Sequence, residues 1–193
     1  LDYEEKPTLF FEFHGTERSV VEQSEQVAEI IRDQGGSEFV WSIKQEDKNK
    51  LWQARHDAYY ASMALRPNSR VWTTDVCVPI SRLSECIEAT RKDVTKHNVL
   101  APIVGHVGDG NFHLLIVVDT GNEKEIDVVS RINDRLLKRA LAMGGTITGE
   151  HGIGFGKMQY LELEHPEGLA LMRGIKSSID PDNIMNPGKI VLP

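Results

Sequence analysis

Two histidines flank a short glycine turn in the segment 106–113, which reads HVGDGNFH. If Asp109 and Gly110 form a two-residue type I′ turn, the flanking strands pair His106 directly with His113. Opposed residues share one face of an antiparallel pair, with β-carbons about 5 Å apart, so the two imidazoles could hold one metal ion. The alternative is a plain hairpin whose histidines bond to backbone or water.

A carboxylate and a third imidazole lie in a glycine-rich segment, 149–157, which reads GEHGIGFGK. Glycines remove side chains and let a backbone approach a flat or charged group closely. Glu150 could complete a site of two histidines and one carboxylate, with open positions for substrate. His151, which as the next residue should point elsewhere, would remain free as a general base. The alternative is a flexible turn. The glycine order excludes a Rossmann fingerprint, and Met158 after Lys157 excludes a P-loop.

Arg55 falls on the apolar face of a predicted helix. Its neighbours on that arc of the helical wheel are Leu51, Trp52, Ala58, Tyr59, Ser62 and Leu65. A guanidinium aimed at a buried face needs an anion, and a substrate carboxylate held by paired hydrogen bonds would supply one. An Asp or Glu of the protein, or a head group that reaches solvent, would serve as well.

Periodicity and chain breakers predict the elements that must position these groups. Strands are predicted over 8–14, 37–43, 70–78, 102–107 and 112–118, and helices over 17–34, 46–65, 81–97 and 123–143, before a glycine-rich loop and a short helical tail. This order predicts an α+β fold in which helices cover one sheet, much like two ferredoxin-like units. Because no linker-like stretch divides the chain, we expect one domain over residues 1–193.

Charge and composition exclude several classes of protein. The 193 residues include 22 Lys plus Arg against 29 Asp plus Glu, a formal net charge of −7, which argues against nucleic-acid and peripheral membrane binding. Apolar stretches such as 114–118 are far shorter than the roughly 20 residues of a membrane-spanning helix. Cys77 and Cys86 have neither disulfide nor metal-site spacing and are expected to be reduced packing residues. Residues 1–7 lack an initiator Met and any signal or transit character, so we expect a fragment or processed piece.

Three motifs carry a resemblance to a known family. GHVGDGNFH at 105–113, GEHGIGFGK at 149–157 and DPDNIMNPGKI at 180–190 resemble, in this order, the C-terminal half of the FAD-linked 2-hydroxy-acid dehydrogenases. That family includes D-lactate dehydrogenase, the FAD-linked glycolate oxidase and D-2-hydroxyglutarate dehydrogenase. The segments LWQARH at 51–56 and DVCVP at 75–79 are similar to the flavin-type D-lactate dehydrogenases of mitochondria and bacteria. The resemblance extends over essentially the whole chain.

The resemblance implies a cap, or substrate-binding, domain built on an antiparallel sheet and packed over a preceding FAD-binding domain. The implied ligands of a divalent metal, zinc or manganese, are His106, His113 and Glu150. The implied substrate-binding residues are Arg55, Asn111 and Thr74, with His151 as the catalytic base. The implied neighbours of the flavin are Gly152, Gly154 and Asn186.

The implied reaction is the oxidation of a D-2-hydroxy acid to the 2-oxo acid. The substrate would chelate the metal, His151 would take the hydroxyl proton, and FAD would accept the hydride and later reduce another acceptor. Relatives specific for 2-hydroxyglutarate use a lysine on the strand before Asp75, and this chain has none there. Its absence favours a short monocarboxylate such as D-lactate, although Arg66 or Arg70 could reach in. The resemblance places the protein in the mitochondrion, or in the cytoplasm of a bacterium.

Two other functions fit parts of the pattern. Two histidines and a carboxylate also describe a non-haem iron oxygenase or a zinc hydrolase, neither of which needs a flavin. A non-catalytic binding module that has lost its partner domain is the second alternative. The four reactive groups argue against the module, because a retired site has no physical reason to keep them in register.

Overall fold

The computed structural model describes residues 5–37 and 39–191 and divides the chain into two compact units, residues 1–58 and 59–193. Two helices begin in the first unit, α1 (Glu17–Asp33) and α2 (Gln45–Ala64). The elements that follow are β1 (Arg70–Thr73), β2 (Val76–Cys77), α3 (Ile80–Lys96), β3 (Ile103–Val104), β4 (Asn111–Val118), α4 (Glu123–Ala142), α5 (Met158–Glu164) and α6 (Leu169–Ile179). The predicted α+β class is confirmed, and the sheet is antiparallel.

The two strands predicted in the first unit are wrong for its described residues. Residues 8–14, 37 and 39–43 form no ladder, and Glu38 lies outside the described part of the chain. The two segments meet through side chains, since the Phe11 and Phe39 rings pack edge to face with centroids 6.2 Å apart. A strand pair needs one buried face to fix its register, and Val40 is exposed in the second segment.

β4 is the central strand of the sheet in the second unit, and all its residues are buried. Side chains alternate across a strand. One face carries Phe112, Leu114, Ile116 and Val118, which join the core together with residues of α3 and α4. Asn111 and His113 alternate with these residues, so the strand presents its polar groups on the face opposite that core. The pleat of one buried strand therefore separates the core from the candidate site.

The hairpin register differs from the predicted one. β3 pairs Val104 with His113, so the predicted direct pairing of His106 with His113 is wrong. The connection contains a short 3₁₀ turn, Val107–Asp109, and ends at Gly110 with φ 78°. Gly110 accepts a 3.0 Å hydrogen bond from the Val78 amide, and a β-carbon on it would clash with the Val78 carbonyl. This close approach ties the connection to the chain directly after β2.

The register differs by two residues, and this difference preserves the face. Strand side chains repeat every second residue, so Val104 takes the place opposite His113 that was predicted for His106, which itself lies beyond the end of β3. The two cysteines are both free, as predicted, and Cys86 is fully buried in the core. Within the described residues, no helix is both long and apolar enough to span a membrane.

Candidate metal centre

Three side chains of the second unit converge on one point. His113, Glu150 and His151 offer nitrogen and oxygen atoms that all lie within 4.8 Å of one another. The Nε2 atom of His113 is 3.4 Å from Oε1 of Glu150, and the rings of His113 and His151 stack with centroids 5.0 Å apart. His113 is buried, whereas Glu150 and His151 are exposed. Two imidazoles and one carboxylate at the surface are a donor set that suits a divalent transition metal.

His106 lies beside the same carboxylate. Its Nε2 atom is 3.8 Å from Oε1 of Glu150, the oxygen that His113 also approaches. The structure therefore brings the predicted metal residues His106, His113 and Glu150 around one oxygen, although the tight group contains His151 and not His106.

The sequence suggested that His151 would point away from Glu150. Residues 149–151 form a bend, and Gly152 follows with φ 75°, so neighbouring side chains need not diverge as they do in an extended strand. His151 consequently stacks on His113 and remains open to solvent, where either role, ligand or base, is sterically possible.

Asp75 anchors the loop that carries Glu150 and His151. Its Oδ2 atom accepts the backbone amides of both residues at 2.9 Å and the Thr148 hydroxyl at 2.8 Å. Its Oδ1 atom accepts the Asn111 side-chain amide at 2.8 Å. Asp75 is completely buried, so these hydrogen bonds replace all of its hydration.

The charge of Asp75 is stabilised by these donors. Burial by itself raises the pKa of Asp75, yet the hydrogen bonds, led by those from the His151 and Glu150 amides, hold the pKa far below its usual range. Lys157 adds a cation 3.7 Å from Oδ2 and donates to the carbonyls of Asp75 and Ile147 at 2.9 and 2.6 Å. Burial lowers the pKa of Lys157, against the opposing effect of Asp75.

Sequence reasoning did not assign a role to Asp75. The available signal was a carboxylate inside the run 70–78, which is otherwise rich in β-branched residues. A charge within a buried strand requires donors from elsewhere in the fold, and such a residue often supports a functional site.

Thr74 lies beneath the three converging side chains. It is 1% exposed, its hydroxyl accepts the Leu114 amide at 2.9 Å, and its carbonyl accepts Nδ1 of His113 at 2.8 Å. The predicted role in substrate binding requires an accessible side chain. In this structure the Thr74 hydroxyl bonds to the sheet and the Thr74 carbonyl to His113, and the substrate-binding role of Thr74 stays a prediction.

Asn111 is also buried, with an exposed fraction of 3%. Its amide nitrogen donates to Asp75 and to the Val76 carbonyl, whereas its Oδ1 atom is buried without a hydrogen-bond partner. Gly149 lies directly against this amide, and a β-carbon there would clash with it. An unpaired acceptor beneath the site leaves Asn111 able to receive one further hydrogen bond.

The two predicted flavin-contacting segments lie side by side. Gly152 and Gly154 have φ 75° and 52°, and β-carbons on them would meet nothing within 4 Å, so their backbone faces open space. Gly154 accepts the amide of Ile190 at 3.0 Å, and Asn186 accepts that of Lys189 at 3.3 Å. The C-terminal segment therefore packs against the glycine loop. The contact of either segment with a cofactor stays a prediction.

Arg55 lies in α2, within the first unit, and is half-buried. Among the residues that the structure describes, no carboxylate lies within ion-pair distance of its guanidinium. An internal Asp or Glu, one of the alternatives predicted from the sequence, is therefore not observed beside Arg55 among the described residues. The substrate-binding role of Arg55 stays a prediction.

The two other arginines considered for a dicarboxylate substrate are placed differently. Arg66 pairs with Glu125 at 2.6 Å, so its charge is already compensated. Arg70 opposes Val118, at the far end of β4 from His113. At about 3.3 Å per strand residue, the five-residue offset places the Arg70 backbone about 16 Å along the sheet.

Comparison with known proteins identifies the family of the chain. Residues 1–190 match the family described as FAD linked oxidases, C-terminal domain. The chain belongs to this family. It is 53% identical over 192 residues to the probable mitochondrial D-lactate dehydrogenase of Danio rerio and 43% identical over 190 residues to the mitochondrial D-lactate dehydrogenase [cytochrome] of Arabidopsis thaliana. It is 32% identical over 186 residues to glycolate oxidase subunit GlcD of Bacillus subtilis.

These alignments cover nearly all of this chain but a minor part of each relative. They include 99%, 98% and 96% of the chain, against 39%, 34% and 39% of the respective relatives. The chain thus spans little more than a third of the length of the curated relatives that it matches.

Proposed function

We propose that this chain is the substrate- and metal-binding part of an FAD-dependent dehydrogenase that oxidises a D-2-hydroxy acid, with D-lactate as the preferred substrate. One observation carries the proposal, namely the convergence of His113, Glu150 and His151 at the surface. Family membership supports the flavin, and the names of the Danio and Arabidopsis relatives support D-lactate.

The ligands of a divalent metal, zinc or manganese, are His113 and Glu150 together with His106. The Nε2 atoms of His106 and His113 lie 3.8 and 3.4 Å from Oε1 of Glu150, which fits a compact site of two nitrogens and one oxygen. A bound metal would polarise the substrate hydroxyl and lower its pKa. The alternative third ligand is His151, which forms with His113 and Glu150 a group whose ligand atoms all lie within 4.8 Å of one another.

His151 is proposed as the base that takes the hydroxyl proton. Its ring is exposed, one of its faces stacks on His113, and its backbone amide is fixed by Asp75, so the imidazole is held without being enclosed. When bound, FAD would accept the hydride from the α-carbon and pass the electrons to a separate acceptor. The open backbone at Gly152 and Gly154 offers the close approach that a flat ring requires.

Arg55 is proposed to neutralise the substrate carboxylate, supported by its half-buried and unpaired guanidinium within the described residues. The compensated Arg66 and the distant Arg70 support a monocarboxylate over a dicarboxylate. Steady-state kinetics of the full-length enzyme should give a higher kcat/KM for D-lactate than for D-2-hydroxyglutarate. The reverse order would contradict this part of the proposal.

The proposed partners are an FAD-binding domain outside this chain and an electron acceptor. We propose a mitochondrial location, supported by the names of the Danio and Arabidopsis relatives, which both carry it.

Metal analysis tests the proposal directly. The protein, His113→Ala and Glu150→Ala are dialysed against a weak chelator and analysed for bound elements, with His14→Ala as a control because its side chain is 80% exposed. We expect near-stoichiometric metal in the protein and the control and its loss from the other two variants. Metal retained in both, or absent from the parent, would contradict the site.

A second pair of variants assigns the third ligand. Loss of metal in His106→Ala, with metal retained but oxidation lost in His151→Ala, is the expected result. The opposite pattern would make His151 the ligand. Turnover by flavin-free, metal-loaded protein would instead favour a hydrolase or an oxygenase that uses the same three side chains.

A further inference from the structure

The ladder that β1 and β2 form with β4 is interrupted at two residues, Thr74 and Asp75. β1 and β2 pair with β4 in a single register, which opposes Thr74 to Leu114 in the gap between them. The Thr74 amide donates to the Leu114 carbonyl at 3.0 Å, as expected for such a pair. The return hydrogen bond is different, because the Leu114 amide donates to the Thr74 hydroxyl at 2.9 Å and not to the Thr74 carbonyl.

The carbonyl released from the ladder has another partner. It accepts Nδ1 of His113 at 2.8 Å. A carbonyl can only accept, so Nδ1 must carry the proton, and the neutral ring then presents the Nε2 lone pair. Nε2 is the atom that lies 3.4 Å from Glu150, on the side of the candidate metal site.

We propose that Thr74 is a positioning residue: its hydroxyl takes the place of its own carbonyl in the sheet, so that the carbonyl fixes the His113 tautomer with Nε2 free for a metal. A partner on the second nitrogen is how proteins orient metal-binding histidines. The metal part of this inference rests on the proposed function, whereas the tautomer part does not.

The hydroxyl is the group on which the arrangement depends. Valine has nearly the same shape as threonine but offers no acceptor, so the buried Leu114 amide would lose its partner. The simplest repair is for the residue 74 carbonyl to turn back into the ladder, away from His113. Asp75 Oδ1, at 3.7 Å from Nδ1, is too far to replace it without movement.

Thr74→Val and Thr74→Ser test the inference, with Thr90→Val as a matched control. Thr90 is a fully buried threonine of α3 whose hydroxyl donates to the Cys86 carbonyl and accepts from the Arg139 guanidinium, so its loss also removes an acceptor, but away from His113. Nitrogen-15 NMR of histidine-labelled, metal-free protein reports the tautomer, and the His113 signals are assigned by their loss in His113→Gln. Competition with a chelator gives the zinc affinity.

We expect the Nδ1–H tautomer of His113 in the parent, Thr74→Ser and Thr90→Val, and a mixed or reversed tautomer in Thr74→Val. Zinc affinity should fall about 10- to 100-fold in Thr74→Val, the usual effect of losing an outer partner. An Nε2–H tautomer in the parent would overturn the inference, even if Thr74→Val fails to fold. An unchanged tautomer and affinity in folded Thr74→Val would also overturn it. If the parent binds no zinc but the tautomer shifts as expected, the proposed function fails and the positioning role stands.

Discussion

Replacement of Asp75 by asparagine tests whether one buried carboxylate holds the backbone of Glu150 and His151. Asparagine keeps the shape of the side chain but exchanges one acceptor oxygen for a donor NH2 group. At the Oδ2 position this group would face the amides of Glu150 and His151, and at the Oδ1 position it would face the side-chain amide of Asn111. Either orientation places donor against donor.

The expected cost follows from the number of donors that lose an acceptor. Two backbone amides do so in the first orientation and one side-chain amide in the second. A buried donor without its partner costs about 1–3 kcal/mol, and bonds to a charged acceptor are the stronger ones. Lys157 also loses its anion 3.7 Å away. We expect the free energy of unfolding of Asp75→Asn to fall by about 2–4 kcal/mol, a large part of the typical 5–15 kcal/mol.

Urea denaturation of the parent and Asp75→Asn, followed by circular dichroism, measures this loss. Asp127→Asn is the matched control, because Asp127 pairs with Arg131 on an exposed face of α4. Such an i,i+4 pair contributes about 0.5 kcal/mol or less. A loss in Asp75→Asn no larger than that of the control would refute the anchoring role.

Three further predictions concern other parts of the second unit. Burial raises the pKa of Asp93, but the hydrogen bonds from Arg135 and the nearby positive charges outweigh burial and hold the pKa below its usual value. The stability that Asp93 contributes is therefore complete above about pH 4 and is lost at lower pH. Acidification should destabilise Asp93→Asn less than the parent in pH-dependent unfolding, and an equal loss would contradict this. Alanine at Gly152 should cost about 1–2 kcal/mol for its positive φ alone. Alanine at Gly110 adds a clash with a backbone carbonyl to the positive φ and should lower the melting temperature further. Equal decreases in melting temperature for the two variants would contradict the clash. Lys157→Met leaves two buried carbonyls without a donor and should lower the urea unfolding free energy by about 2 kcal/mol or more, and a loss below about 0.5 kcal/mol would exclude that role.

The helices could be predicted because their signals are local. All four long helices agree with the predicted bounds to within one residue at each end. Apolar residues at helical spacing and glycines or polar breakers at the ends are visible within a single segment. The strands predicted at 8–14 and 37–43 failed, because aromatic and β-branched composition alone does not supply a partner or a buried face.

The candidate site was predictable only to the extent that its residues lie in local motifs. His113, Glu150 and His151 come from two short segments, and the structure brings them together. Asp75 was missed because its side-chain and backbone donors lie 36 to 76 residues further along the chain. The exchange of hydroxyl for carbonyl at Thr74 was also missed, since nothing in a strand pattern indicates that a side chain will replace its own carbonyl.

The predicted hairpin register was wrong by two residues. A displacement of two residues keeps strand side chains on their face, and His106 lies near the Glu150 oxygen that His113 also approaches. The apolar core on the opposite face of β4 fixes that parity, because Phe112 and Leu114 are fully buried there. The hydrophobic alternation of one strand thus determines which residues reach the site. The hydrogen bonds of Thr74 and Asp75 then hold the His113 ring and the Glu150 backbone.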